Sequence, residues 1–361
     1  MLSSPGGGND AFVRGRSEVW WSLERPDLTL PVPVDPSGAR GPTRGQARGP
    51  RWRKTSRGLF VPDVASRDVV EQRIVEAAAV LPPGTAVTGW AALRWAGGAW
   101  FDGLGPDGAD ELPVTLAIGD STIGRQPGIE ISEEHLRPWD LELLDGLPVT
   151  SPERSATYLM RHADSLLDAV VALDMAAYND LVSVAEVAAY LPTMPAWTGI
   201  QQCRTATSLA NENSWSPREV GVRLTWERHA KLPRLLANQP VFDRWGRHVG
   251  TPDLLDEEAG VVLEYDGALH LAGAQRRRDR DREEAFRRVG LEYLTVMAGD
   301  PQPHLVARMH SARQRAQSRE SSLREWTTEL PAWWVPTSSV NQRRSLDHAQ
   351  RDRLLRLRRT A

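Results

Sequence analysis

The sequence predicts an α/β protein of the α+β kind. Its amino-terminal half reads as mainly helical, and its carboxy-terminal half reads as a small mixed sheet covered by helices. Two observations carry this. From residue 66 to about 210, apolar residues recur near helical spacing, with stop and start signals between the runs. Beyond 210, short β-type apolar runs alternate with helical segments in the order α-β-β-β-α-β-α, and that alternation suits a sheet flanked by helices. At 361 residues the chain is long enough for two domains and a tail.

Composition narrows the function classes. The net charge of −3 argues against a uniformly basic nucleic-acid protein, but it hides a skew. The last twenty residues carry Arg343, Arg344, Arg351, Arg353, Arg356, Arg358 and Arg359 against Asp347 and Asp352. This Arg-rich tail reads either as an arm for a polyanion or as a solvated helix face. Lys54 and Lys231 are the only lysines, so a mechanism that needs one has two candidates. Cys203 is the only cysteine, which excludes intramolecular disulfides and cysteine-rich zinc sites. The start MLSSPGGGND has no secretory pattern, and no apolar run reaches membrane-spanning length. A soluble, cytoplasmic protein with no membrane partner is expected.

In chain order, residues 1–50 are rich in Gly, Pro and Arg and read as a disordered arm whose Trp20-Trp21 pair could dock. Residues 51–65 open with RWRKTSRGLFVP, a basic β-type hairpin like the wing of a winged helix, or a plain hairpin at a domain edge. Helices are expected from Ser66 to the Pro82-Pro83-Gly84 break and again around Trp90 and Trp95. Residues 112–118 and 128–131 read as strands around a turn, and GLPVTSPERSATYLMRHADSLLDAVVALDMAAYN as a long helical region. Helices at 182–191 and 199–210 complete this middle domain, 66–210.

The next domain, 211–300, opens with Ser216-Pro217-Arg218-Glu219, a helix start with capping-box spacing. Strand-like runs come next at 241–245, 248–255 and 261–266, then a charged helix at 275–289 and a strand at 291–296. A helix from 304 to about 326 and the Arg-rich tail make up 301–361.

One stretch, 251–290, concentrates chemistry. On a strand over 261–266, Glu264 and Asp266 lie two residues apart and share a face. Asp253 on the preceding strand could sit beside them, with His270 just beyond. Carboxylates on adjacent strands suit Mg²⁺ (or Mn²⁺), which takes oxygen ligands and keeps water for a substrate. An acidic hairpin, an Asp-Gly turn at 266–267 and a purely capping Glu219 are the alternatives.

PDLLDEEAGVVLEYDGALH, followed by D-x-x-R-x-x-x-F-x-x-x-G at Asp279, Arg282, Phe286 and Gly290, resembles the Vsr-like branch of the PD-(D/E)xK nuclease superfamily. The resemblance implies a restriction-endonuclease-like fold and a metal-dependent DNA endonuclease. By position it implicates Glu219, Asp253, Glu264, Asp266 and His270 as catalytic residues, with Asp253, Glu264 and Asp266 on the metal and Asp279 and Arg282 in support. The usual lysine of the superfamily is Asp266 here. In the amino-terminal half, RKTSRGLFVP, V-T-G-W-A-A-L and G-L-P-V-T-x-x-x-R resemble the AbiEi abortive-infection antitoxins. That resemblance implies a winged-helix remnant, DNA binding and a toxin partner. The combined expectation is phosphodiester hydrolysis of duplex, mismatched or nicked DNA, in repair or phage defence. The alternative is a DNA-binding antitoxin or regulator with a degenerate nuclease fold.

Overall fold

A computed structural model describes residues 19–105, 108–267, 273–320 and 324–360. The architecture is mixed α and β, and the chain divides into two compact units. The first runs to Trp95 and includes Asp102–Ser151; the second takes Ala96–Phe101 and everything from Pro152. The division thus falls at 151/152, not near 210, because the helices of 152–209 pack with the residues that come after them.

In the first unit, β1 (Val32–Pro33), β2 (Trp52–Ser56) and β3 (Leu59–Pro62) form an antiparallel sheet in the order β1-β3-β2. The helices α1 (Val70–Ala78) and α2 (Gly89–Trp95) flank β4 (Ala86–Val87) in sequence. The strands β5 (Val114–Ala117), β6 (Ile129–Ser132), β7 (Leu141–Leu144) and β8 (Leu147–Thr150) complete a sheet of order β6-β5-β4-β8-β7.

Four expectations change here. Among the described residues this unit holds eight strands and two α-helices, so the helical character expected of 66–210 belongs chiefly to its later part, from Pro152 on. The unit's strands are two to five residues long, too short for their period to register against the helical runs. GLPVT is the buried strand β8, paired with β7, before any helix begins. β5 and β6 run parallel, so 118–128 is a crossover and not a hairpin turn. Finally, residues 19–50 are ordered: β1 pairs with β3, and Trp21 is 5% exposed with its Nε1 donating to the Ala78 carbonyl at 3.3 Å. Trp20 donates to the Leu81 carbonyl at 2.7 Å, so the tryptophan pair docks at the end of α1. Residues 1–18 lie outside the described residues.

The second unit begins with α3 (Pro152–His162), α4 (Leu166–Tyr178), α5 (Val184–Tyr190), α6 (Ile200–Leu209) and α7 (Pro217–Leu224), which continues into a π turn, Thr225–His229. Asp174 on α4 and Arg223 on α7 form an ion pair at 2.8 Å, with both side chains fully buried. The Ser214 hydroxyl and the Asn211 amide also donate to Asp174, so this charge is satisfied where it is buried. The pair ties the helical bundle to the helix that enters the sheet region.

Next come β9 (Leu236–Ala237), β10 (Val241–Asp243), β11 (His248–Gly250), β12 (Leu254–Asp256) and β13 (Val261–Asp266). After them lie α8 (Gly273–Arg288), β14 (Glu292–Met297), α9 (Gln302–Gln317) and β15 (Trp326–Thr327). The main sheet has the order β14-β13-β12-β9, with β13 and β14 parallel across α8 and the other pairs antiparallel. The expected strand over 248–255 is broken at 251–253, and its halves join different sheets: β11 pairs with β10, whose other neighbour is β15. Trp326 therefore belongs to a strand, and α9 stops at Gln317.

Alternation along β13 sorts the core into two faces. Val261 and Leu263 pack with Trp226, Met309 and Ala312 on one side; Val262 packs with Leu255, Phe286 and Leu291 on the other. Glu264 shares the face of Val262, towards α8.

The tail forms α10 (Val340–Arg344) and α11 (His348–Thr360). Arg343 is fully buried and pairs with Asp180 at 2.7 Å; Arg351 reaches the same carboxylate at 3.0 Å. Arg344 pairs with Glu186, and Arg358 donates to the Tyr178 carbonyl at 2.8 Å. These four arginines fasten the chain end to the residues after α4, so they do not form a free arm for a polyanion.

Candidate functional site

Three carboxylates meet at the end of the main sheet. Glu219 is set by the start of α7, where the Ser216 hydroxyl accepts its amide at 3.2 Å and Pro217 occupies the first turn. Its Oε2 accepts from the Trp215 amide at 2.8 Å and from Asn238 Nδ2 at 2.6 Å. Asp253 stands just before β12, and its Oδ2 accepts the Tyr265 amide at 2.8 Å. Glu264 projects from β13, and its Oε1 accepts from Arg282 Nε at 3.1 Å. The Arg282 guanidinium also bonds the Thr251 carbonyl, which anchors α8 over the gap between β11 and β12.

Burial pushes the Glu219 carboxyl up to about 8, and the charge of Asp253 adds to the rise. Glu264 is also raised to about 8, by burial first and then by Asp253, with Arg282 opposing. Burial raises Asp253 as well, against the Tyr265 amide and Arg282. Three acids lean on one another, therefore, and Arg282 opposes the rise at Asp253 and Glu264. Burial and mutual repulsion thus favour the protonated carboxyls, and a further cation would favour the ionised ones.

Comparisons with known proteins return no similarity: no family model, no curated protein and no solved structure matches the chain.

The site brings together Glu219, Asp253 and Glu264. Asp266 ends β13, two residues and roughly 7 Å beyond Glu264 along the strand. Of the expected trio of Asp253, Glu264 and Asp266, the first two act on one another's charge, and Glu219 joins them because the start of α7 folds back onto the sheet end. His270 and the side chain of Asp279 lie outside the described residues. Phe286 is fully buried beneath α8.

Residue patterns passed over three further groups. Asn238, 2% exposed and with φ of +46°, donates to Glu219, while its Oδ1 is buried without a hydrogen-bond partner. Tyr293 on β14 has its hydroxyl pKa raised by burial and by Glu264. His248 on β11 contacts Thr251 Oγ1 at 3.1 Å; burial lowers its pKa, and Arg282 lowers it further. No motif marks them, and only the sheet order brings them close.

The donor set suits a hard divalent cation, since carboxylate oxygens are what Mg²⁺ and Mn²⁺ take. Among the described residues, however, no group of three or more Asp, Glu, His or Cys side chains is gathered closely enough to hold an ion as placed. Glu264 is instead turned to Arg282.

Proposed function

We propose that this protein is a metal-dependent DNA endonuclease of the restriction-endonuclease-like type, as its Vsr-like motif implies. The observation that carries the reading is the buried cluster of Glu219, Asp253 and Glu264, whose mutual repulsion a divalent cation would relieve. The sheet order β9-β12-β13-β14, with α7 before it and α8 crossing between the parallel strands, supports the same fold. Asp253 and Glu264 would hold Mg²⁺ or Mn²⁺, with Glu219 beside them. The bound cation would supply a water of lowered pKa and charge compensation at the scissile phosphate.

The chain's own residues have separable tasks. Asn238 and the Trp215 amide orient Glu219, and the Tyr265 amide fixes Asp253. Arg282, 3.0 Å from Glu264, neutralises part of the cluster and would supply positive charge in place of the missing superfamily lysine.

Purified protein with Mg²⁺ or Mn²⁺ is expected to nick supercoiled plasmid or mismatched duplex, and Asp253→Asn or Glu264→Gln to lower the rate at least a hundredfold. Full activity in both variants sinks the assignment. One observation favours the alternative, a DNA-binding antitoxin or regulator on a degenerate nuclease fold: Arg282 already answers Glu264 without a metal. Salt-dependent duplex binding without cleavage is the result that reading expects.

A further inference from the structure

Between Pro36 and Pro62 the chain has seven basic residues and no acidic one, in a protein whose acids outnumber its bases 47 to 44. Arg53, 9% exposed, is neutralised inside the unit, where it forms a two-point ion pair with Glu76 on α1 at 2.6 Å. Since Arg53 points to α1, the alternate positions Trp52 and Lys54 lie on the face turned away from it. Arg44, Arg48, Arg51, Lys54 and Arg57 are all exposed. None of them makes an ion pair or a side-chain hydrogen bond among the described residues.

The framework under these cations is built, not loose. The Asp35 carboxylate accepts from the amides of Arg40 and Ser37 at 2.9 Å, from the Ala39 amide at 3.0 Å and from the Ser37 hydroxyl at 2.8 Å. These bonds, led by the Arg40 amide and then the Ser37 hydroxyl, pull its pKa down to about 2. The acid nearest the segment on its amino-terminal side is thus turned into the loop's own backbone. Gly41 packs so tightly on β1 that a Cβ would lie 2.2 Å from the Pro33 carbonyl oxygen. At the hairpin tip, the Arg57 amide donates to Gln126 at 2.6 Å, which brings exposed Arg125 alongside. Asp63 at the base of β3 is the one exposed acid adjoining the hairpin.

We infer that the acid-free segment 36–62 is a nucleic-acid-binding face, in which Arg44, Arg48, Arg51, Lys54 and Arg57 contact the sugar-phosphate backbone of a duplex. The cations are strung along a loop, a 3₁₀ turn (Gln46–Arg48) and a hairpin, and are not gathered into a pocket. From Arg51 to Arg57 the hairpin strand reaches about 20 Å, enough to pass several phosphates. Their neighbours are Ser37, Thr43, Gln46 and glycines, which suit phosphate oxygens. The large apolar residues Leu59, Phe60 and Val61 are buried, whereas a membrane-surface element would present them outward. Among the described residues the only helical turn between β1 and this hairpin is the 3₁₀ turn, so the face is not a winged helix. The inference does not rest on the nuclease reading, because it concerns binding in the absence of metal.

The test uses the full chain in EDTA with a labelled duplex, followed by fluorescence anisotropy over a salt series. The triple variant Arg44→Glu, Arg51→Glu, Arg57→Glu is expected to lose at least tenfold in affinity and to flatten the logarithmic salt slope by about 3. The two lysines give a second readout on the unsubstituted protein, since Lys54 and Lys231 are both exposed. Saturating duplex should slow acylation of Lys54 several-fold, as followed by mass spectrometry. Unchanged affinity and slope in a folded triple variant, or Lys54 labelled at the same rate with and without bound duplex, overturns the proposal. So does loss of anionic-vesicle binding in the variant with duplex binding intact, which assigns the face to a lipid surface. Cleavage assays with Asp253→Asn judge the other site separately.

Discussion

Glu264 shows how one residue is governed by its surroundings. The residues before it on β13 are apolar and buried, so the strand carries a charge up to the edge of the core. Both it and Glu219 have carboxyl pKa values raised to about 8. The folded protein therefore holds protons that the unfolded chain releases above its ordinary carboxyl range, and folding stability falls as pH rises from about 5 to about 8. In EDTA the thermal midpoint should drop across that window, and Glu264→Gln should remove much of the drop. A midpoint that rises over the same range contradicts the cluster. Arg282→Gln should cost about 3 kcal/mol at pH 8 in urea titration, because it leaves buried carboxylates without their cation. At pH 6 the loss should be smaller, since Glu264 can then take up a proton. Sequence spacing made Glu264 and Asp253 legible as partners but left Glu219 open between a site and a helix cap. A pattern shows which residues share a strand face, whereas it cannot show a helix start folding back onto the sheet end.

At the scale of elements, α8 depends on a glycine in another strand. A Cβ on Gly250 of β11 would lie 2.7 Å from the ring of Phe286, which is fully buried under α8. Gly250→Ala should cost about 1–3 kcal/mol by chemical denaturation, because a packed aromatic must move. Since α8 carries Arg282, the same change should weaken the grip on Glu264. An unchanged denaturation midpoint would mean that the helix shifts freely over the sheet. Helices with long runs were readable from the chain: α4 and α6 lie within the expected spans, and α8 begins two residues before its own. Two-residue strands were not, because β4, β9 and β15 are too short to show a period. The π turn after α7 has no sequence mark that we recognise.

For the whole molecule, the first unit carries an acid-free basic face and the second carries a buried acid cluster, while the sum of charges is nearly zero. Net charge concealed both features, and only local order uncovered them. No helix among the described residues is long and apolar enough to cross a membrane. Removing residues 339–361 should lower the thermal midpoint by roughly 5–10 °C, since Asp180 loses both its arginines. The salt slope of duplex binding should stay as it was. A change in that slope without a change in the midpoint would return the tail to nucleic acid.

The clasp around α4 also has a consequence for the order of events in synthesis. Arg343 bonds the Ala177 carbonyl across 166 positions of sequence and Asp180 across 163. Contacts so far apart in sequence form late, because a long loop must close before they repay it. During synthesis α4 emerges well before residues 340–358, so its fastening is made late. A chain cut before residue 340 would lack the clasp and expose that region to proteolysis.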